Sequence, residues 1–301
     1  MIIVTGTKRS GTSMWMQILI AAGFQIIGEA FPMRWEQTIK AANPEGFYES
    51  HLRRGINYRT NPHPKTGAYL FPEQVQHHAV KVFVPGLVRS DRAYIGKVVA
   101  SVREWHEYES SIARLYAIED ASRRAEGKGE LIPEERMPGA LEWWADNFML
   151  VRDIAVRRYP VHVQSYEGLL NDHERVIRDV LKWIGRGDPE PALAAVKPHH
   201  QTQRRPPSDT VEPAIAQVFD DFYAALHAGK GLEASLLTKL NETNEILAPR
   251  IHAVQMRLRE QGRKRAMLRQ KLRREQLEAG KPAPESAEAT SHDDEDEPEV
   301  A

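Results

Sequence analysis

Val4-Thr5-Gly6-Thr7-Lys8-Arg9-Ser10-Gly11-Thr12-Ser13 decides how this chain folds. Ile2-Ile3-Val4 is a short apolar run of the kind that makes a buried parallel strand. From Thr12 to Ala22 the pattern is helical, with Trp15, Ile18, Leu19 and Ala22 on one face and Gly23 as its stop. A strand, a glycine turn and a helix start leave backbone N–H groups aimed at an anion, with the positive end of the helix dipole behind them. Ser10, Thr12 and Ser13 add hydroxyl donors, and Lys8 and Arg9 add charge. The bland alternative is a Ser- and Gly-rich capping turn with two solvated cations. The agreement of strand, spacing, hydroxyls and cations favours the anion site.

Gly6 and Gly11 have the spacing of a P-loop, whose second glycine is followed by a lysine that reaches the β- and γ-phosphates. Here Thr12 takes the lysine's place, and the cations lie inside the loop at Lys8 and Arg9. That displacement points to a nucleotide that donates something other than a γ-phosphoryl group.

A second constellation lies near residue 100. Tyr94 to Val102 reads as a central strand ending in Arg103, and Ser111 follows eight residues later on a stretch that is helical from about His106 to Ala117. An arginine at a strand's carboxyl end and a serine on the next helix can converge on one phosphate, the arginine as a planar fork of charge-assisted donors. Ligands of open α/β sheets bind at the carboxyl ends of strands, so both loops are expected to open on one edge.

Together these residues resemble the sulfotransferase superfamily. Arg9-Ser10-Gly11-Thr12-Ser13 is similar to the family's 5′-phosphosulfate loop, and Arg103 with Ser111 to its 3′-phosphate pair, although Glu104-Trp105 replaces the usual Asp-Pro. The segments from Asn43 to Glu49 and from Val163 to Asp172 resemble bacterial members, and the resemblance covers about residues 1 to 210. It implies 3′-phosphoadenosine 5′-phosphosulfate (PAPS) as co-substrate, held by Lys8, Arg9, Ser10, Gly11, Thr12, Ser13, Arg103 and Ser111. It also implies a third phosphate contact from a late basic loop, here Lys197 to Pro206 with Arg204 and Arg205 at its tip, for which a charged linker is the equal alternative. Arg9 takes the leaving-group role, with Lys8 as alternative or helper. Glu29 is the first choice as base, and Glu49 and His51 are its rivals. The family's Lys-x-His segment corresponds to Val80-Lys81-Val82-Phe83, which lacks the histidine but keeps a lysine.

The expected fold is α/β, a P-loop-like central parallel sheet flanked by helices, with a long C-terminal helix and a disordered tail. The expected division is an α/β domain over 1–230, a long basic helix over 231–279 and an acidic tail over 280–301. Residues 118–137 read as a polar insert, and Trp143, Trp144 and Phe148 as core in preference to an acceptor cleft. In the C-terminal helix, Leu247, Ile251, Val254 and Leu258 form a heptad seam that continues through Gln261 and Arg265 to Leu268 and Leu272. That seam suits a homodimeric coiled coil or an intramolecular hairpin. Residues 257–274 carry nine Lys or Arg against one acid, while the last 20 residues carry eight acids and no Lys or Arg. The tail is too polar to fold alone.

With 41 basic and 42 acidic residues, no global field marks a nucleic-acid binder. Zero cysteines excludes disulfide and thiol chemistry. No His or carboxylate spacing resembles a metal site, so no metal is expected. With no signal-peptide pattern and no apolar stretch of membrane-spanning length, a cytoplasmic setting without membrane insertion is expected. The acceptor is expected to be a small molecule or glycan with a hydroxyl or amine. The alternative function is a non-catalytic P-loop scaffold that binds nucleotide and assembles through its C-terminal helix.

Overall fold

A computed structural model describes residues 1–30, 46–125, 135–196 and 205–278. The fold is α/β. Five strands, β1 (Ile2–Gly6), β2 (Ile26–Ile27), β5 (Ala79–Lys81), β6 (Lys97–Val102) and β7 (Val161–Ser165), form a sheet in the order β2-β5-β1-β6-β7. Its neighbours are parallel throughout. Two further short strands, β3 (Glu29–Ala30) and β4 (Tyr48–Glu49), pair antiparallel beside it. The helices are α1 (Thr12–Ala21), α2 (Pro72–Val75), α3 (Val84–Arg89), α4 (Trp105–Ala125), α5 (Gly139–Arg157), α6 (Tyr166–Asn171), α7 (His173–Ile184), α8 (Pro189–Ala194), α9 (Pro213–Ala228) and α10 (Ala234–Glu278).

β1 shows why the sheet is covered on both faces. Ile2 and Val4 pack with Trp15, Ile18 and Leu19 of α1 and Val176, Ile177 and Val180 of α7. Ile3, between them in sequence, packs on the other side with Val80, Val98, Leu87 and Leu150. The two-residue alternation of a strand thus feeds two cores, and every residue of β1 is buried.

A third apolar cluster joins α4, α5, α9 and α10. Trp143 and Trp144 are fully buried in it, and Trp144 stacks on Phe219 with ring centroids 4.9 Å apart. The tryptophans are core, as their helical spacing suggested. Leu240, Leu247 and Ile251 of α10 complete the same cluster. The heptad seam of α10 is therefore used first within the chain: Leu247, Ile251 and Val254 are buried, Leu258 and Leu268 half-buried, and Leu272 exposed. Arg257 and Gln261 bond Glu135 at 3.1 and 2.8 Å, tying the helix to the strand of chain that leads into α5. Pro249 lies inside α10, where it removes one helical hydrogen bond; Leu247 and Ile251 anchor the helix on either side of it. No described helix is long and apolar enough to cross a membrane. The acidic tail, the middle of the polar insert (126–134) and most of the late basic loop (197–204, including Arg204) lie outside the described residues.

The docking of α10 predicts an asymmetry along its length. Leu247→Ala should cost about 2–5 kcal/mol through cavity formation, and Leu272→Ala less than about 0.5 kcal/mol. Urea unfolding midpoints of the two variants measure this; equal losses would mean that the first half of α10 is not docked as described.

Candidate anion-binding site

The loop between β1 and α1 is held in a shape only this sequence permits. Gly6 has φ 152°, and a Cβ there would lie 2.3 Å from the Ser101 carbonyl oxygen and 2.4 Å from Ser10 Oγ. Gly11 has φ 90°, and a Cβ would lie 2.5 Å from the Tyr166 ring. Ser10 Oγ donates to the Thr7 carbonyl at 2.8 Å, and Ser101 Oγ donates to the Ser10 carbonyl. Arg9, between the glycines, has φ 65°, a left-handed conformation that costs a non-glycine residue about 1–2 kcal/mol. Among the described residues no side chain caps the start of α1 and no acid lies in its first turn, while Thr12 and Ser13 are buried there. An uncapped helix start opening from a glycine cradle is an anion-binding arrangement.

The two sequence constellations meet. β1 pairs with β6 so that Gly6 lies opposite Ser101, and Arg103 emerges beside the loop. Arg103 Nη1 donates to the Arg9 carbonyl at 3.0 Å and lies 3.4 Å from Ser111 Oγ. Arg9 Nε donates to the same hydroxyl at 3.1 Å. Tyr166, the first residue after β7, stacks its ring on the Arg103 guanidinium at 4.8 Å, and the Arg9 guanidinium lies 5.6 Å from the Phe47 ring. Burial, then the charge of Arg103, lowers the Arg9 pKa to about 10; Tyr166 pulls the other way, and Arg114 adds a smaller lowering. Burial raises the Tyr166 phenol, and Arg103 and Arg9 pull it back. Positive charge has been gathered in a dry place, and an anion would relieve it.

The other predicted residues divide. Lys8 turns to Glu142 of α5 at 3.8 Å and lies over the Tyr116 ring. Glu29 is exposed on β3, directly opposite Glu49 of β4. Glu49 is buried in an ion pair with Lys81, and Lys81 Nζ reaches Ser13 Oγ at 3.4 Å. Lys81 thus lies against the anion loop, with Phe83 5.0 Å from its ammonium. Arg205 lies among three carboxylates: 2.6 Å from Glu167, 3.4 Å from Glu107 and 3.6 Å from Glu104. Although burial pulls the other way, Glu167 and Glu104 raise the Arg205 pKa.

Glu104 explains why the chain does without Asp-Pro after Arg103. Its carboxylate accepts the backbone N–H of His106 at 3.1 Å and of Glu107 at 2.9 Å, which caps α4 as an aspartate would. Glu104, His106 and Asp220 also bring metal-ligand atoms within 4.8 Å of one another. Each is engaged within the protein. His106 Nδ1 lies 2.7 Å from Glu104, and Asp220 accepts the Trp105 indole N–H at 2.8 Å. Sequence reasoning did not single out Tyr166, Glu107 or Ser101. The signals are positional: Ser101 near the carboxyl end of β6, Tyr166 just past that of β7, and Glu107 in the first turn of α4.

No family model matches this chain, and no curated protein matches it. Among solved structures, it is similar to the sulfotransferase domain from the Synechococcus PCC 7002 olefin synthase. The identity is 14% and the TM-score 0.35, over 82% of this chain and 94% of that one. The class that the sheet and loop define is an α/β protein with a glycine loop and an uncapped helix start at the carboxyl edge of a parallel sheet.

Two expectations follow. Pyrophosphate at a hundred times its Kd should stabilise the protein by about 2.7 kcal/mol, and Arg9→Ala or Arg103→Ala should remove most of that gain. The lowered Arg9 pKa sets a sign. The unfolded chain keeps the Arg9 proton to a higher pH than the folded protein, in which the pKa is lowered to about 10. In that window the unfolded chain binds more protons, so Arg9 makes the folded state gain stability as pH rises. Anion affinity instead falls as the guanidinium loses charge near pH 10. Pyrophosphate titration across that range reads the fall directly, and affinity unchanged through pH 11 would remove Arg9 from the anion site.

Proposed function

We propose that this chain is a sulfotransferase that moves a sulfuryl group from PAPS to a hydroxyl or amine of a small-molecule or glycan acceptor. One observation carries the reading: Arg9 and Arg103 converge on the Ser111 hydroxyl, at 3.1 and 3.4 Å, beside an uncapped glycine-loop helix start. The loop and the Arg103–Ser111 pair are two separate anion-recognition points on one edge, which suits a nucleotide bearing phosphates on both the 5′ and 3′ sides of its ribose. The cradle that a Cβ would fill at Gly6 and Gly11, and the like charges that lower Arg9, fit such a ligand.

PAPS supplies an activated sulfuryl group whose departure leaves charge on a 5′-phosphate. Arg9 and the N–H groups at the start of α1 stabilise that charge in a preorganised, water-poor setting, usually the largest single catalytic effect. Lys8 assists only after leaving Glu142. Ser10, Thr12 and Ser13 donate hydroxyls to the 5′ side, Lys81 stands behind Ser13, and Arg103 with Ser111 holds the 3′-phosphate. Glu29 takes the acceptor's proton: it is exposed where an acceptor can reach it, while Glu49 opposite is committed to Lys81.

Calorimetric titration with adenosine 3′,5′-bisphosphate, AMP and ATP tests the reading. The bisphosphate should bind without magnesium and about tenfold or more tighter than AMP, one lost charged contact being worth about 1.5–3 kcal/mol. Arg103→Ala should erase most of that preference. Magnesium-dependent ATP binding, or no preference for the 3′-phosphate, would overturn the proposal. With an acceptor in hand, Arg9→Ala should lower kcat at saturating nucleotide by about 100-fold or more, beyond its weakening of anion binding. Glu29→Gln should lower kcat by roughly 10²–10⁴. If Glu49→Gln carries that loss and Glu29→Gln does not, the base is Glu49.

A further inference from the structure

Arg205 is the one described cation of the late basic loop, and its surroundings are those of a strut. We propose that Arg205 does not bind the nucleotide but is a positioning residue, fixing the aim of Arg103 through the carboxylate of Glu107. The inference rests on the proposed role of Arg103 at the 3′-phosphate.

Arg103 is buried, and its guanidinium is contacted on three sides, on the Nε side by an ion pair that lacks hydrogen-bond geometry. Nη1 faces the Arg9 carbonyl and Ser111 Oγ, the flat face lies on Tyr166, and Nε faces Glu107 Oε2 at 3.4 Å. Glu107 lies one helical turn after Arg103 and is also buried. An arginine fork has one Nε edge and one Nη edge. With Glu107 on the Nε side, the Nη donors are left facing the loop, where a phosphate can take them.

What holds Glu107 in that position is Arg205. Glu107 Oε1 lies 3.4 Å from Arg205 Nε, so the carboxylate bridges the two arginines with one oxygen toward each. Arg205 is secured at its far end by Glu167 at 2.6 Å, and the same Glu167 oxygen accepts the Tyr223 hydroxyl at 3.1 Å. The chain of contacts therefore runs from α9 through Glu167 of α6 and Arg205 to Glu107 and Arg103. To reach a phosphate at Ser111, Arg205 would have to abandon three carboxylates, two of them buried, and leave those charges without it. As a strut it gives up nothing when the nucleotide arrives.

A double-mutant cycle separates the strut from a direct ligand. The quantity read is the ratio of Kd for AMP to Kd for adenosine 3′,5′-bisphosphate, which general damage to the fold does not change selectively. Arg205→Ala should lower that ratio about threefold to thirtyfold, the usual range for coupled neighbours, with AMP affinity within about twofold of wild type. Glu107→Gln keeps a carbonyl oxygen for Arg103 while giving Arg205 no charge to hold. In that background Arg205→Ala should change the ratio by less than about 1.5-fold. If the Arg205→Ala loss persists in the Glu107→Gln protein, Arg205 touches the phosphate and the inference fails. If Arg205→Ala leaves the ratio unchanged in the wild-type background, it fails as well. If the wild-type protein itself shows no preference for the 3′-phosphate, the sulfotransferase reading has failed first. Should Glu107→Gln not fold, Glu167→Gln, which releases the other end of Arg205, replaces it in the cycle with the same expectations.

Discussion

The pairing of β1 with β6, Gly6 opposite Ser101, is the constraint on which the candidate site depends. It sets the closeness that forbids a side chain at residue 6, since the Ser101 carbonyl occupies the space a Cβ would need. It brings the Ser101 hydroxyl to the Ser10 carbonyl and so closes the loop. It also places Arg103 level with Arg9. The next pairing, Val102 opposite Ser165, carries the row on to Tyr166. A slip of one residue, about 3.3 Å along the strand, would turn each side chain to the opposite face and remove all of these contacts together. That register is held from outside the site by Ile3, Val98 and Val80 on one face of the sheet and Val4 and Val99 on the other.

The electrostatics follow from that crowding. Burial and the charges of Arg103 and Arg114 weigh against the Arg9 guanidinium, an arrangement that works against folding when considered alone. The compensation is assembled on the first turn of α4 and its neighbours. Glu107 faces Arg103, Glu104 caps the helix, and Glu167 with these two surrounds Arg205. Carboxylates surround Arg205, while burial and like charge weigh on Arg9 at the glycine loop.

What could be read in the sequence depended on how local the information was. The loop was legible because strand, glycines, hydroxyls and helix start occupy one continuous stretch, and α1 begins at Thr12 as the pattern said. Arg103 and Ser111 were legible because a strand end and the helix that follows it are neighbours in the chain. Tyr166 and Glu107 owe their positions to strand register and helix packing, which no spacing in the chain encodes. The heptad in α10 was legible as a seam but silent about its partner. The same steps of three and four residues serve a second chain or the chain's own core, and Leu247 and Ile251 take the core. Glu104 is a different case: it departs from the usual Asp-Pro in letters and performs the same capping in fact.

The position of the loop's cation carries the last step. A lysine after Gly11 would project from the first turn of α1, at the depth where β- and γ-phosphates lie in a nucleotidase. Thr12 fills that position here and is buried. The charge comes instead from Arg9, in a left-handed conformation that an arginine does not choose unaided. Its strain is held by two contacts, the Arg103 fork on its carbonyl and the Ser111 hydroxyl on its side chain. A glycine at this position would remove the strain and the charge together. In the proposed function a cation there would stand beside the terminal group of a 5′-linked ligand and next to Arg103 and Ser111. That placement suits the separation of a sulfuryl group from a 5′-phosphate better than the splitting of a triphosphate, whose deeper phosphates would find no lysine waiting.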